Sequence, residues 1–228
     1  MQAIVAACET RLMWVTRPFR EGDTDACYDV CLRTADEGGD ASALHTDPRI
    51  VGDIWVGPYL VRHPECAVVV EDDEGVCGYV VGAPDTTAYD RWVEEEWFPP
   101  LRARYPVGSF SEGTADEQCV RLIHSPQRVP ASVIDEYPAH LHIDLLPRAQ
   151  GRGLGLTLMD AFLERMRAAD VPAIHLRVSP TNTGAVAFYQ RLGFVDLIGG
   201  FVWGRSTEPI RRDRTGPGGE ERHVRLHG

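Results

Sequence analysis

The chain has 228 residues, of which 43% are hydrophobic and five are Trp, and its formal net charge is -11 at pH 7. This length fits one large domain, and the apolar content argues against wholesale disorder. The acidic balance disfavours nucleic acid as the main partner, because phosphate binding needs clustered Lys and Arg. A cationic substrate such as an amine matches an acidic protein better.

The six cysteines are scattered without a C-x-x-C pair, so no metal site is expected. Disulfides are not expected either, because we recognise no secretory segment and a chain of this size does not need them. No apolar stretch approaches about 20 residues, which predicts no membrane span. These features favour a reduced, cytoplasmic protein.

In the first half, the pattern predicts a strand over Leu12 to Thr16 and a helix from Thr24 to Arg33. Helical fragments follow around residues 48–56, with a turn expected at Gly57-Pro58. Two β-branched runs, Cys66 to Glu71 and Gly75 to Gly82, predict a hairpin around acidic turn residues.

Residues 88–104 look helical, with a break or a kink expected at Pro99-Pro100. A long polar insertion over residues 108–138 follows and contains one predicted helix, near Glu117 to Ile123. Two strand–helix units come next: strand Leu141 to Leu145, helix Gly153 to Ala169, strand Ile174 to Val178, helix Thr181 to Leu192. A final pair of strands, Phe194 to Ile198 and Phe201 to Trp203, completes a mixed α/β domain with one central sheet. We expect a single domain over residues 1–208 and a tail of linker-like composition over 209–228.

A glycine loop, Gln150-Gly151-Arg152-Gly153-Leu154-Gly155, lies between a predicted strand and a predicted helix. Its free amides and the helix N-terminus favour an anion, and a pyrophosphate group is the ligand we expect there. The loop lacks the Gly-Lys-Ser/Thr of a P-loop. Its third glycine is one position early for a dinucleotide fingerprint. It does match the acetyl-CoA loop Q/R-x-x-G-x-G/A at each fixed position.

The loop occurs in a wider pattern that also includes Asn182, Ala185, Phe188-Tyr189 and Gly193-Phe194. From Leu141 to Phe194 the chain resembles the GNAT acetyltransferases, which show N-x-x-A-x-x-F-Y-x-x-x-G-F at this place. The resemblance implies an α/β fold with a central, mostly antiparallel twisted sheet, a splayed parallel pair of strands and flanking helices. It also implies acetyl-CoA as co-substrate.

The predicted hairpin is similar to a narrower group. Val69 to Tyr79, followed by Gly82 and Asp85, resembles the acetyltransferase-like domain at the C-terminus of O-GlcNAcase. Animal versions of that domain look as if they have lost the glycine loop, whereas this sequence keeps it. We therefore expect cofactor binding to be retained here.

The resemblance assigns cofactor contacts to one strand, the loop and the last helix. The backbone of Ile143 and Leu145 would pair with the pantetheine arm, and the Ile143 amide would polarise the thioester carbonyl. The whole loop, Gln150, Gly151, Arg152, Gly153, Leu154 and Gly155, would hold the pyrophosphate, with Arg152 adding charge. Asn182 would reach the pantetheine, and Tyr189 would protonate the departing thiolate.

The general base is less specified by the pattern. Asp85 is preferred because it follows the central hairpin strand, with Asp144 next and His175 after it.

The predicted activity is direct transfer of acetyl from acetyl-CoA to a small amine, a protein lysine or an N-terminus, without a covalent intermediate. The alternatives are an acyl-CoA-binding module without transferase activity and a nucleotide-binding protein that uses the same loop. A homodimer whose tail packs on a neighbouring subunit is a further hypothesis.

Overall fold

A computed structural model describes residues 14–210, which form a seven-stranded sheet flanked by helices. The strand order is β1-β2-β3-β4-β5-β7-β6. The strands are β1 (Val15–Pro18), β2 (Val68–Asp72), β3 (Gly75–Ala83), β4 (Ala139–Leu145), β5 (Ala173–Arg177), β6 (Val195–Ile198) and β7 (Val202–Ser206). Every neighbouring pair is antiparallel except β4 and β5, which are parallel. This is the mixed α/β GNAT fold that the sequence predicts, and the expectation is confirmed.

Nine α-helices connect the strands within residues 14–210. They are α1 (Thr24–Leu32), α2 (Ile50–Trp55), α3 (Gly57–Arg62), α4 (Thr86–Trp92), α5 (Phe98–Arg104), α6 (Ala115–His124), α7 (Ala131–Glu136), α8 (Leu154–Ala168) and α9 (Thr183–Arg191). A π-helical segment, Val93–Trp97, joins α4 to α5. In the described residues, no helix is long and apolar enough to cross a membrane.

The parallel pair separates almost as soon as it forms. β4 and β5 are in register only at Ala139 with Ile174 and at His140 with His175. Beyond that point β4 continues to Leu145 while it remains paired with β3 on its other side. The remainder of its free edge therefore faces an opening in the middle of the sheet.

The two faces of β4 contact different helices. Leu145 lies on the α8 face, where its Cδ1 atom would be 3.4 Å from a Cβ at Gly155. On the opposite face, the ring of His142 is 5.1 Å from that of Trp55 in α2. Because side chains alternate along a strand, the histidines and Asp144 of β4 lie on the face covered by α1 to α4.

Three expectations about the elements need correction. Gly57-Pro58 does not form a turn but begins α3, since proline is well tolerated in the first turn of a helix. The irregularity expected at Pro99-Pro100 lies just before them, in the π-helical segment Val93–Trp97, and both prolines lie in the first turn of α5. Helix α7 in the insertion was not predicted. The first strand begins at Val15, and Leu12 lies outside the described residues, as does the tail from residue 211 onward.

Candidate active site

A cleft of about 1150 Å³ opens where β4 and β5 separate. Its walls come from β4, the glycine loop, the start of α9, and the turn that follows α1. That volume slightly exceeds the range of about 300–1000 Å³ typical of small-molecule sites. It therefore has room for a long co-substrate and part of an acceptor.

The backbone of β4 presents its free hydrogen-bonding groups to this cleft. The amide of Leu146 donates to Cys77 O at 2.8 Å, so alternate backbone groups of β4 point to β3. The intervening groups, those of Ile143 and Leu145, consequently point to the open side. In agreement, the side chain of Gln150 reaches the carbonyl of Leu145 at 2.8 Å from the open side. The Ile143 amide is therefore placed to donate a hydrogen bond to a ligand in the cleft, as at the unpaired edge of a sheet.

The structure requires glycine at the three loop positions for two different reasons. Gly151 and Gly153 have φ values of 70° and 79°, a region that favours glycine over other residues. Gly155 is helical, and a Cβ there would lie 3.1 Å from the Phe188 ring. The first two glycines therefore shape the turn, and the third allows α8 to approach α9.

Arg152 does not line the cleft, contrary to the role predicted for its charge. Its Nε donates to the carbonyl of Arg148 at 3.0 Å, and its guanidinium lies 4.4 Å from the Trp14 ring centroid. The arginines that do line the cleft are Arg177 and Arg191. Arg177 ends β5 and Arg191 ends α9, so neither belongs to the loop motif that sequence reasoning used.

Asn182 and Tyr189 line the cleft from the opposite wall. Asn182 caps α9, because its Oδ1 accepts a hydrogen bond from the Ala185 amide at 3.0 Å. Tyr189 is buried two turns further on, with its ring 5.4 Å from the Phe194 ring. Burial, and to a lesser extent the charge of Asp144, raises the pKa of Tyr189. Its phenol is therefore protonated at neutral pH and can serve as a proton donor.

Asp144 is the carboxylate of β4 that lines the cleft. The Tyr79 hydroxyl donates to its Oδ2 at 2.5 Å. Burial raises the pKa of Asp144 to about 6, while hydrogen bonds from Tyr79 and Thr34 offset part of that shift. A carboxylate with a pKa near neutrality suits proton abstraction from an amine.

Asp85 and His175, the other two candidate bases, occupy different environments. Asp85 is exposed and caps α4 by accepting a hydrogen bond from the Ala88 amide at 2.9 Å. It is not among the residues that line the cleft. His175 is buried, and its Nδ1 is 2.7 Å from the Tyr137 carbonyl oxygen. The structure therefore brings Asp144 to the cleft and not Asp85, because β3 ends at Ala83, opposite His140 near the start of β4, and Asp85 then caps α4.

Sequence reasoning missed a contact across the mouth of the cleft. Glu37, in the turn after α1, accepts hydrogen bonds from the hydroxyls of Ser179 and Thr181 in the β5–α9 connection. Its φ of 51° is uncommon for a non-glycine residue. The neighbouring Gly38-Gly39 was the one available signal of a tight turn here. The pairing partners are more than 140 positions away, so no local pattern could have identified them.

Comparison with known proteins agrees with this geometry. Residues 119–194 match the model of the acetyltransferase (GNAT) family. Protein O-GlcNAcase from Rattus norvegicus is 23% identical over 190 residues, which cover 82% of this chain and 21% of that protein. The chain thus spans about a fifth of the length of the O-GlcNAcases it matches. A mycothiol acetyltransferase from Streptomyces griseus is 42% identical over 60 residues, 25% of this chain and 20% of that protein.

The solved structure of SsHAT is similar over most of both chains. It is 40% identical, with a TM-score of 0.79, and the match covers 86% of this chain and 99% of that one.

A splayed parallel pair, a glycine loop before a helix and an unpaired strand edge between them define an acyl-CoA-dependent transferase site. The chain belongs to the GNAT acetyltransferase family, and within it resembles the C-terminal region of O-GlcNAcase. Acetyl-CoA is the co-substrate that this family membership implies.

Proposed function

We propose that this protein is an N-acetyltransferase that moves acetyl from acetyl-CoA directly to an amine. The observation that carries the proposal is the single cleft that brings together the Ile143 amide, the glycine loop, Asp144 and Tyr189. An oxyanion donor, a pyrophosphate cradle, a base and an acid are the four functions that amide transfer from a thioester needs.

In this proposal each group has one task. Asp144, ionised near neutral pH, is the base that takes the one proton that a neutral amine loses as it becomes an amide. The nitrogen lone pair then forms the new N–C bond while the Ile143 amide stabilises the oxyanion. The C–S bond breaks next, and Tyr189 donates its proton to the departing thiolate. The step balances, because nitrogen gives one proton to Asp144 and the thiolate gains one from Tyr189, and exchange with solvent then deprotonates Asp144 and reprotonates Tyr189.

Pyrophosphate binding would rest on the backbone. The amides at residues 151–155 precede α8, and the 15-residue helix adds its dipole. Arg191, which ends α9, would add charge from the opposite wall. Gln150 is already hydrogen-bonded to Leu145 and would hold the loop in register with β4.

An amine acceptor is supported by the two carboxylates among the charged residues of the cleft. Glu37 and Asp144 both line it, and an ammonium group is complementary to them. Among the similar proteins, a GCN5-like protein acetyltransferase of Mycobacterium tuberculosis is 32% identical over 126 residues. A protein lysine is therefore one acceptor class to test, beside small amines and N-termini.

The decisive experiment is thiol release from acetyl-CoA by the full chain against a panel of small amines and lysine peptides. We expect acceptor-dependent release that disappears in Asp144→Asn and persists in Asp85→Asn, a matched change of an exposed carboxylate. Tight acetyl-CoA binding with no acceptor-dependent release across the panel would instead favour a binding module without transferase activity. Displacement of acetyl-CoA by ATP or NAD would favour a nucleotide-binding protein.

A further inference from the structure

A second, smaller pocket of about 110 Å³ opens off the cleft. Four residues belong to the walls of both cavities, namely Trp55, Leu141, His142 and Arg177. Leu141 and His142 follow the last residue of β4 that pairs with β5. The two cavities therefore meet at the point where these strands begin to separate.

Aromatic rings make up much of the wall of this second pocket. The rings of Tyr59 and Tyr89 stack with centroids 4.6 Å apart, and Tyr59 also lies 5.7 Å from His142. Phe98 and Leu122 complete the apolar lining. Such a surface favours an apolar occupant.

Most polar groups on the same wall are already paired with one another. His140 Nε2 is 2.9 Å from the Tyr59 hydroxyl, and Arg128 forms an ion pair with Asp90 at 2.6 Å. Arg177 donates to the Gln127 side chain at 2.5 Å. Burial also lowers the pKa of His140 and of His142, so both rings are neutral at physiological pH. Asp90 and Arg128 therefore neutralise each other and both histidines are neutral, which leaves the Arg177 guanidinium as the charge of an otherwise neutral wall.

The direction in which the co-substrate would lie leads to this pocket. The glycine loop follows the carboxyl end of β4, so a pantetheine arm that pairs first with Leu145 and then with Ile143 runs towards the start of that strand. The next side chains beyond the thioester are those of Leu141 and His142, which open into the second pocket. An acyl chain longer than acetyl would extend in this direction.

The base lies on the other side of the same reacting carbon. Asp144 is one residue C-terminal to Ile143, whereas His142 is one residue N-terminal, and both side chains are on the same face of β4. An amine held by Asp144 would approach from the end of the cleft that contains Glu37. The acyl chain and the acceptor would therefore occupy opposite ends and would not compete for space.

We infer that the second pocket is an acyl-chain subsite, through which this enzyme accepts propionyl-CoA and butyryl-CoA as well as acetyl-CoA. The inference rests on the proposed function, and the transfer step is unchanged: the N–C bond forms and the C–S bond breaks. Taking roughly 30 Å³ for a water-sized group, the pocket holds about three or four such groups. That is enough for the one or two extra carbons of these acyl groups.

The first measurement is the affinity of the full chain for acetyl-, propionyl- and butyryl-CoA by titration calorimetry. Burial of each added methylene should tighten binding by about fourfold, the equivalent of about 0.8 kcal/mol. A stepwise loss of affinity with chain length in the unmodified protein would overturn the inference.

A pocket-filling variant makes the test specific. Val129 lines the second pocket but not the main cleft, so Val129→Phe should occupy the subsite. The matched control is Val61→Phe, because Val61 is 61% exposed on α3 and lines neither cavity. We expect Val129→Phe to weaken butyryl-CoA binding by about 15-fold, the loss of two buried methylenes, while acetyl-CoA binding changes by less than about twofold. An equal loss for both ligands would contradict the subsite.

Two further outcomes are distinguishable. If Val129→Phe does not fold, as judged by circular dichroism, Leu122→Phe places the same ring in the pocket from α6, and the same ratio of affinities decides. If no acyl-CoA binds the unmodified protein, the proposed function itself fails. If acetyl-CoA binds and is turned over but longer chains are rejected, only the acyl-chain subsite fails.

Discussion

Tyr79 and Asp144 lie directly opposite each other on β3 and β4, and the Tyr79 hydroxyl donates to Oδ2 of Asp144 at 2.5 Å. Tyr79 is fully buried beneath the sheet surface, and burial raises its pKa, so it is a fixed donor at neutral pH. This neighbour holds the carboxylate in place at the edge of the cleft. It also keeps the pKa of Asp144 from rising further than about 6.

Replacement of the base should remove the pH dependence of catalysis. In Asp144→Asn we expect kcat/KM to fall by about 100-fold or more, since a positioned general base contributes about 10²–10⁴. In the unmodified enzyme, kcat/KM should rise with pH through an apparent pKa of about 6. The measurement is the pH profile of kcat/KM for the amine at saturating acetyl-CoA, and Asp85→Asn should retain the profile. A profile unaltered in Asp144→Asn would eliminate this base.

The same substitution should stabilise the fold at neutral pH. The ordinary pKa of 3.8 is raised to about 6 in the folded state, so between these values the unfolded chain loses a proton that the folded chain keeps. Stability therefore falls as pH rises through this window. Asp144→Asn lacks this effect and keeps an acceptor for Tyr79. Its advantage in the free energy of unfolding should grow from near zero at about pH 3.5 to about 3 kcal/mol at about pH 7. Urea titrations across this range check it, and an advantage independent of pH would contradict it.

Removal of the Tyr189 hydroxyl should separate binding from chemistry. In Tyr189→Phe we expect kcat to fall by about 100-fold, while the Kd for acetyl-CoA changes by less than about twofold, because the ring packing against Phe194 remains. Stopped-flow thiol release and calorimetry measure the two quantities. Tyr137→Phe is the matched control, since Tyr137 does not line the cleft. Equal losses in kcat and in affinity would indicate a binding role instead.

The glycines of the loop should respond differently to alanine. Gly153→Ala places a side chain at a φ of 79° and should cost about 1–2 kcal/mol of stability. Gly155→Ala should chiefly weaken acetyl-CoA binding, because its Cβ would displace the Phe188 ring at the cleft wall. Gly22→Ala, where a Cβ meets nothing within 4 Å, is the control. Thermal unfolding and calorimetry of all three variants test the distinction, and identical behaviour of the two loop variants would refute it.

Arg191 should contribute more to acetyl-CoA binding than Arg152, although only Arg152 belongs to the loop motif. Arg152→Ala should leave the Kd for acetyl-CoA within about twofold, because its guanidinium lies on Trp14 and not in the cleft. Arg191→Ala should weaken binding by about fivefold to tenfold, as loss of one exposed phosphate contact costs about 1 kcal/mol. The salt dependence of the Kd should fall only in Arg191→Ala. A larger effect at Arg152 would show that its side chain turns into the cleft when the ligand binds.

Much of the second half of the fold could be predicted from local sequence. The alternation at Leu141 to Leu145, the glycine loop and the helix that follows are read from residues a few positions apart, and each lies within two residues of the structural bounds. The insertion was harder to interpret: α7 has six residues and no side-chain cap, so its sequence carries little helical signal. Gly57-Pro58 was misread because the same dipeptide suits a turn and a helix N-terminus.

The glycine loop and the Asn182–Tyr189 pattern were sufficient to indicate the family and its co-substrate, because close backbone approach and helix spacing are local requirements that a sequence shows directly. The identity of the base was not determined in this way. Asp85 and Asp144 are both acidic residues beside predicted strands, and only the tertiary structure shows that Asp144 lines the cleft opposite Tyr79 while Asp85 caps a helix in solvent. The bridge from Glu37 to Thr181 and the second pocket likewise depend on packing between distant segments. Both features lie beside the point where β4 separates from β5, and the sequence of neither strand alone specifies that separation.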